Sequence, residues 1–338
     1  MVDEKKVKEA FEIDFGTKSI EPEGEAVKGY DFNKEFNFND LLKSYKVTGM
    51  QATNLGKAIE IAKKMRKEKA VIFLAYNSNM VSSGLREIIA YLVRNKMVDV
   101  LVTTAGGVEE DIIKTMKPFI VGDFRAPGKE LRAKGINRIG NVFVPNDRYA
   151  MFEKLMHPFL AKLLEEQRKT GHIFTASEFI HRLGAEVSDE NSIYYWATKN
   201  NIPVFCPALT DGSIGDIIYF FKESDKRNAD FKLDIADDMV KIVNIALDAK
   251  KTGMIILGGN FIKHHTCNAN LFRGGSDYAI YISTETEEGG SDSGANPDEA
   301  VSWGKIKGKE SKDTTVKIFC DATIAFPLLV AGAFKEKI

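Results

Sequence analysis

Six short runs of unbroken apolar residues, each stopping in a cluster of small or polar ones, constrain this chain more than any other feature. "AVIFLAY" (70–76) breaks into "NSNMVSSG", "VDVLVTT" (98–104) into "AGGVEED", and "IPVFCPA" (202–208) into "LTDGSIGD". "TGMIILGG" (252–259) breaks into "NFIKHHTCNAN", "DYAIYIS" (277–283) into an acidic run, and "TVKIFC" (315–320) into "DATIAFPLL". Continuous β-rich hydrophobicity without alternation describes strands buried on both faces, and the segments between them carry helical spacing. The pattern predicts a Rossmann-like α/β fold: a doubly wound, mostly parallel sheet of about six strands with helices on both faces. The helical region 150–200, clearest in "YAMFEKLMHPFLAKLLEEQ", should pack on that sheet. Residues 1–40, polar apart from "KKVKEAFEID", read as an N-terminal arm of helix and extended segment, and 41–338 as one domain.

Charge and cysteine usage narrow the function classes. With 47 Lys+Arg against 48 Asp+Glu, the chain lacks the basic excess that a nucleic-acid partner normally leaves. Cys206, Cys267 and Cys320 are few, far apart and form no CxxC pair, as in a reducing compartment. The start, "MVDEKKVKEAFEID", has no apolar core, so no signal peptide is expected. The longest apolar run, "TIAFPLLVAGAF", falls short of the ~20 residues of a membrane span. The expectation is a cytoplasmic protein with no membrane or nucleic-acid partner.

In a doubly wound sheet, ligands bind beyond the carboxyl ends of the strands. There the chain places Ser78, Asn79, Ser82 and Ser83, then Thr104, Ala105 and Gly106, Asp211 and Gly212, Gly258 and Gly259, and Asp321 and Ala322. Such residues let backbone N–H groups and helix N-termini approach a phosphate, and a dinucleotide is the economical ligand. No GxGxxG follows any strand, and Gly-rich turns end most parallel strands anyway. Carboxylates are the second signal: Glu109 and Glu110, Asp211 and Asp216, and Asp292, Asp298 and Glu299 all follow strands. Acids at helix starts often serve only as caps, but several at one edge suit a polycation, with Trp303 as an apolar wall between them. Lys305 is the third signal. It ends a stretch, 274–304, without a single lysine or arginine. Most loop lysines are solvated charges, whereas one desolvated beside an indole is a nucleophile for a carbonyl or imine. His264, His265 and Cys267 lack the spacing of a metal site, so no metal is expected; a histidine proton acceptor or a helix-start role fits better. Cys206 and Cys320 read as buried strand side chains.

Five motifs in colinear order, "GYDFN", "VDVLVTTAGGVEEDIIK", "GINRIGNVFVPN", "CPALTDGSIGD" and "SDSGANPDEAVSWGKI", make the chain resemble the deoxyhypusine synthase family from about Gly29 to Phe334. The resemblance implies an NAD-binding catalytic domain over 41–338 and a homotetramer with active sites at dimer interfaces. It also implies an arm that covers a neighbour's active-site entrance. The implied reaction moves the 4-aminobutyl group of spermidine to one lysine of the translation factor 5A precursor, through an imine on Lys305 in "SWGK". It implies His264 as general base for spermidine oxidation. The spermidine site would comprise Glu110, Asp216, His264, Gly290, Ser291, Asp292, Glu299 and Trp303. The NAD site would comprise Ser78, Asn79, Met80, Val81, Ser82, Thr104, Ala105, Gly106, Glu110, Asp211, Gly259, Thr284, Glu285, Asp321 and Ala322. Two positions depart from the family pattern: Asn260 stands where a third glycine is common, and Glu285 where alanine is usual. The rival expectations are a homospermidine synthase using putrescine, a weakly active subunit that needs a paralogue, and an NAD-consuming deacylase. The intact Lys305, His264 and Asp292 speak against the second, and the missing cysteine-paired zinc module against the third.

Overall fold

The structure, a computed structural model, describes residues 3–15, 18–308 and 311–335. Among these, the strands are β1 (Val71–Tyr76), β2 (Val100–Thr103), β3 (Ile120–Val121), β4 (Ile136–Ile139), β5 (Val142–Pro145), β6 (Val204–Phe205), β7 (Thr252–Leu257), β8 (Tyr278–Ser283) and β9 (Thr315–Phe319). Six form one parallel sheet in the order β6-β2-β1-β7-β8-β9. The chain winds outward from β1 through β2 to β6, then returns to β1's other side and winds outward again. The reversal falls between β1 and β7, where such folds open a crevice.

Strands β1, β2, β6, β7 and β8 each feed two cores because their side chains alternate, whereas edge strand β9 feeds only the larger one. On β1, Ile72, Leu74 and Tyr76 join the larger core, with the helices Met50–Lys67, Leu85–Arg94, Asp147–Thr170 and Ala322–Ala333. Phe73 and Ala75 face the smaller core, with Asp237–Asp248 and Asn260–Leu271. Both faces are therefore dry, which explains the unbroken apolar runs. Each fully buried Phe or Leu contributes about 1.5–3 kcal/mol. The region 150–200 packs as expected, with Phe152, Met156, Leu160, Phe179 and Tyr194 all in the larger core.

Two details differ from the sequence expectation. The run 202–208 yields only the two-residue β6, because Pro203 and Pro207 remove ladder donors on both sides. A second sheet, β3-β5-β4, is antiparallel and was not predicted. Its strands are short and partly exposed, so they carry no apolar run. In the arm, the residues of Glu4–Phe15 described for burial are exposed, as is nearly all of 18–37. Within "GYDFN", the Tyr30 hydroxyl accepts from the Asn37 N–H (2.8 Å), and the ring lies edge-on to Phe32. No helix of the described residues is long and apolar enough to cross a membrane.

Candidate active site

Two cavities open at the carboxyl edge, separated by the segment 290–296. The first, about 350 Å³, spans the β1/β7 crevice and the ends of β8 and β9. Asn79, Met80, Gly259, Thr284, Glu285, Asp321 and Ala322 line it, with Asn77, Cys320 and Ser293. The second, about 200 Å³, is lined by Lys263, His264, Gly290, Asp292, Glu299, Trp303 and Lys305. Alternate residues of the separating segment face opposite ways: Ser291 and Ser293 line the first cavity, Gly290 and Asp292 the second.

The first cavity is built from backbone and small groups. A side-chain carbon on Gly258 would lie 2.6 Å from Asn77 Nδ2, and one on Gly259 would collide with Ser293. Only hydrogen lets the β7 turn pass between its neighbours. Asp321 caps the helix Ala322–Ala333, accepting from the Thr323 N–H at 2.7 Å, so this helix and Asn260–Leu271 aim their N-termini at the cavity. The Asn77 side-chain oxygen is buried in this lining with no hydrogen-bond partner; the Thr104 hydroxyl is orphaned too, but lies outside the lining. Helix N-termini, close backbone and an orphaned polar atom together fit a phosphate-bearing dinucleotide such as NAD. Asn260 adopts the left-handed conformation (φ 59°), which asparagine tolerates. Its N–H donates to Ser293 Oγ at 2.7 Å, and that hydroxyl donates back to Asn260 Oδ1 at 3.0 Å. Asparagine thus does what glycine would do and adds a clasp. Glu285 is exposed at the rim.

The second cavity is built from charge. Lys305 is 9% exposed, and its Nζ lies 5.6 Å from the Trp303 ring centroid. The indole itself is 66% exposed, a wall open on its outer face. Asp292 Oδ2 is buried without a partner, an anionic acceptor suited to an ammonium. Lys263, missed in the sequence, is 2% exposed; its ammonium donates to the carbonyls of Asp292 (2.5 Å) and Ala295 (2.8 Å) and lies 4.3 Å from the Tyr281 ring centroid. Burial lowers its pKa. His265 is turned away from the lining, and burial lowers its pKa as well. Among the described residues, no group of three or more His, Cys, Asp and Glu could hold a metal ion.

The remaining expected residues lie outside both linings. Ser82 donates to Glu110 Oε2, and Glu110 is pushed up to about 8 by burial and by Glu109 beside it. Gly106 packs on Ser78, leaving 2.8 Å between a would-be side-chain carbon and Ser78 Cβ. Ala105 and Val81 are buried in the core. Glu109 serves as a cap, accepting from the Ile214 N–H at 2.9 Å at the start of Ser213–Ser224; the structural reading of that acid was the right one. Asp211 and Asp216 are exposed and line neither cavity. The helix carrying Glu109 and Glu110 is anchored by buried Asp111, which binds Arg86 Nε at 2.6 Å, Ser192 Oγ at 2.5 Å and the Ile193 N–H at 3.1 Å. Cys206 is buried as expected, but Cys320 is half-buried in the first cavity's wall, because β9 ends one residue before it. Of the residues missed, Asn77 and Ser293 adjoin expected ones, whereas Lys263, between Ile262 and His264, left no signal beyond its charge at a helix start.

A parallel sheet that reverses at a crevice, with backbone-lined and charge-lined cavities at one edge, defines a doubly wound α/β protein with a two-part site at that crevice. The deoxyhypusine synthase family model matches residues 40–333, and the chain belongs to that family of transferases. A protein described as a probable deoxyhypusine synthase, from Pyrococcus furiosus, is 55% identical over 330 residues, covering 94% of this chain and 97% of that one. Deoxyhypusine synthase from Nicotiana tabacum is 50% identical, covering 95% and 92%. Among solved structures, a candidate deoxyhypusine synthase from Entamoeba histolytica matches with a TM-score of 0.66 at 31% identity, covering 91% and 96%.

Proposed function

We propose that this chain transfers the 4-aminobutyl group of spermidine to a lysine of the translation factor 5A precursor, with NAD held in the first cavity and spermidine in the second. The observation that carries the reading is that buried Lys305 and Asp292, with its orphaned oxygen, line one cavity that shares a wall with the first. Bound NAD supplies a hydride acceptor that later returns the hydride. Asp292 and Glu299 hold the ammonium groups of the substrate, and Trp303 packs on its methylenes. His264 takes the proton from the secondary amine as the adjacent carbon is oxidised. The Lys305 amine then attacks the resulting imine carbon, and the carbon–nitrogen bond to 1,3-diaminopropane breaks. The group now sits on Lys305 as an imine. The acceptor lysine displaces Lys305 in the same way, and reduction gives deoxyhypusine. Burial of Lys305 excludes water that would hydrolyse the intermediate. Asp216, outside both linings, supports the reading that a second copy completes the site within a homotetramer.

The test follows the hydride. With the acceptor protein present, deuterium at the oxidised carbon of spermidine reappears in the product side chain with no net NADH. Nicotinamide accumulating in step with turnover would refute this, and label passing to putrescine instead of the protein would favour the homospermidine synthase reading.

A further inference from the structure

The acidic segment after β8 is held mainly by its backbone, although Glu287 also accepts from the Asn296 side chain within it. At its neck, Gly294 sits so close to the Thr286 carbonyl that no side-chain carbon fits between them. Lys317, on β9, closes the neck by donating to the carbonyls of Glu285 (2.9 Å) and Gly294. From the other side, Lys263 donates to the carbonyls of Asp292 and Ala295. The result is an Ω-shaped loop pinned by two lysines from outside a stretch that has no cation of its own. Ammonium-to-carbonyl bonds are charge-assisted, and here they leave the Asp292 and Glu299 carboxylates uncommitted. Lys263 is not a second nucleophile. Two carbonyls and the Tyr281 ring occupy the approaches to its amine.

We propose that Lys263 and Lys317 are positioning residues with divided roles: Lys263 sets the amine cavity, through Asp292, and Lys317 sets the rim of the nucleotide cavity, through Glu285 and the loop neck. The catalytic half of this inference rests on the proposed function; the structural half does not. The test uses the full chain with Lys263→Met and Lys317→Met, and Lys263→Gln where the methionine variant does not accumulate as folded protein. Hydrogen exchange is measured first, without ligands. Amides of 286–296 should exchange at least about tenfold faster in each variant, while those of β1 and β7 keep their protection. Steady-state assays follow. Lys263→Met should raise the spermidine KM about tenfold or more and leave the NAD Kd within about twofold, and Lys317→Met should do the reverse. Unchanged exchange in 286–296 would overturn the proposal, whatever the activity. Faster exchange with equal losses for both ligands would overturn the division of roles. Faster exchange in an enzyme that ignores spermidine would leave the clamps standing and defeat the proposed function instead.

Discussion

The two cavities on either side of segment 290–296 are built on opposite plans. The nucleotide side draws on the ends of β1, β7, β8 and β9, and its working parts are glycines, helix N-termini and small side chains. The second cavity is supplied by the helix Asn260–Leu271, the loop 290–296, the short helix Pro297–Ser302 and the turn to Lys305, and most of its working parts are ionisable. A wall assembled from strand ends is fixed by the sheet, so single changes among the side chains that line it should act weakly. A wall of charges is only as good as each charge, and a single change should be severe.

Lys305→Arg is the sharpest way to break this comparison. The guanidinium stays protonated and cannot attack, so aminobutyl transfer should fall by about three orders of magnitude or more, with both ligands still bound. Borohydride trapping with spermidine and NAD should label the parent enzyme on this residue and not the variant. Next come Asp292→Asn and Glu299→Gln. Each removes a charge-assisted bond of about 1.5–3 kcal/mol, so spermidine affinity measured by calorimetry should drop roughly 10- to 150-fold while NAD affinity holds. Equal losses for both ligands would erase the distinction between the two sides.

Glu110 gives a smaller, pH-dependent effect. Its carboxyl is raised from 4.5 to about 8 in the folded protein, so the native state holds a proton that the unfolded chain has lost between those values. Its stabilising contribution is present below about pH 4.5 and is lost as pH rises through about 8. Urea denaturation should show Glu110→Gln gaining on the parent by up to about 1.4 kcal/mol per pH unit across this window. A constant difference would show that the carboxyl is already ionised in the native state. The smallest effect is expected at the rim, where Glu285→Ala removes an exposed negative charge beside an anionic cofactor. NAD should bind about two- to fivefold more tightly, with spermidine unaffected.

The same contrast governs how far the sequence could be read. The sheet was legible because strands such as β1, β7 and β8 are buried on both faces and announce themselves as apolar runs. The antiparallel β3-β5-β4 sheet was not, because residues such as Asn137 and Arg138 interrupt its pattern. On the charged side, Asp292, Trp303 and Lys305 stood out by type and crowding. Lys263 did not, since a lysine bound to two carbonyls looks in sequence like any solvated one. Glu109 and Glu110, adjacent in sequence, could not be told apart until the fold turned one toward the helix at Ser213 and the other toward Ser82.

The acidic loop's carbonyl clamps bear on how such an enzyme can drift. Lys263 and Lys317 grip positions 285, 292, 294 and 295 by their backbone, which every amino acid carries. The exposed Glu285 side chain can therefore be exchanged for a neutral or basic one with the clamp on its carbonyl kept. Lineages of this enzyme are free to retune the charge at that cavity rim without passing through a misfolded ancestor. Gly294 is barred from that freedom, for there the backbone itself fills the space, and Gly290 is restricted too by its positive φ of 66°.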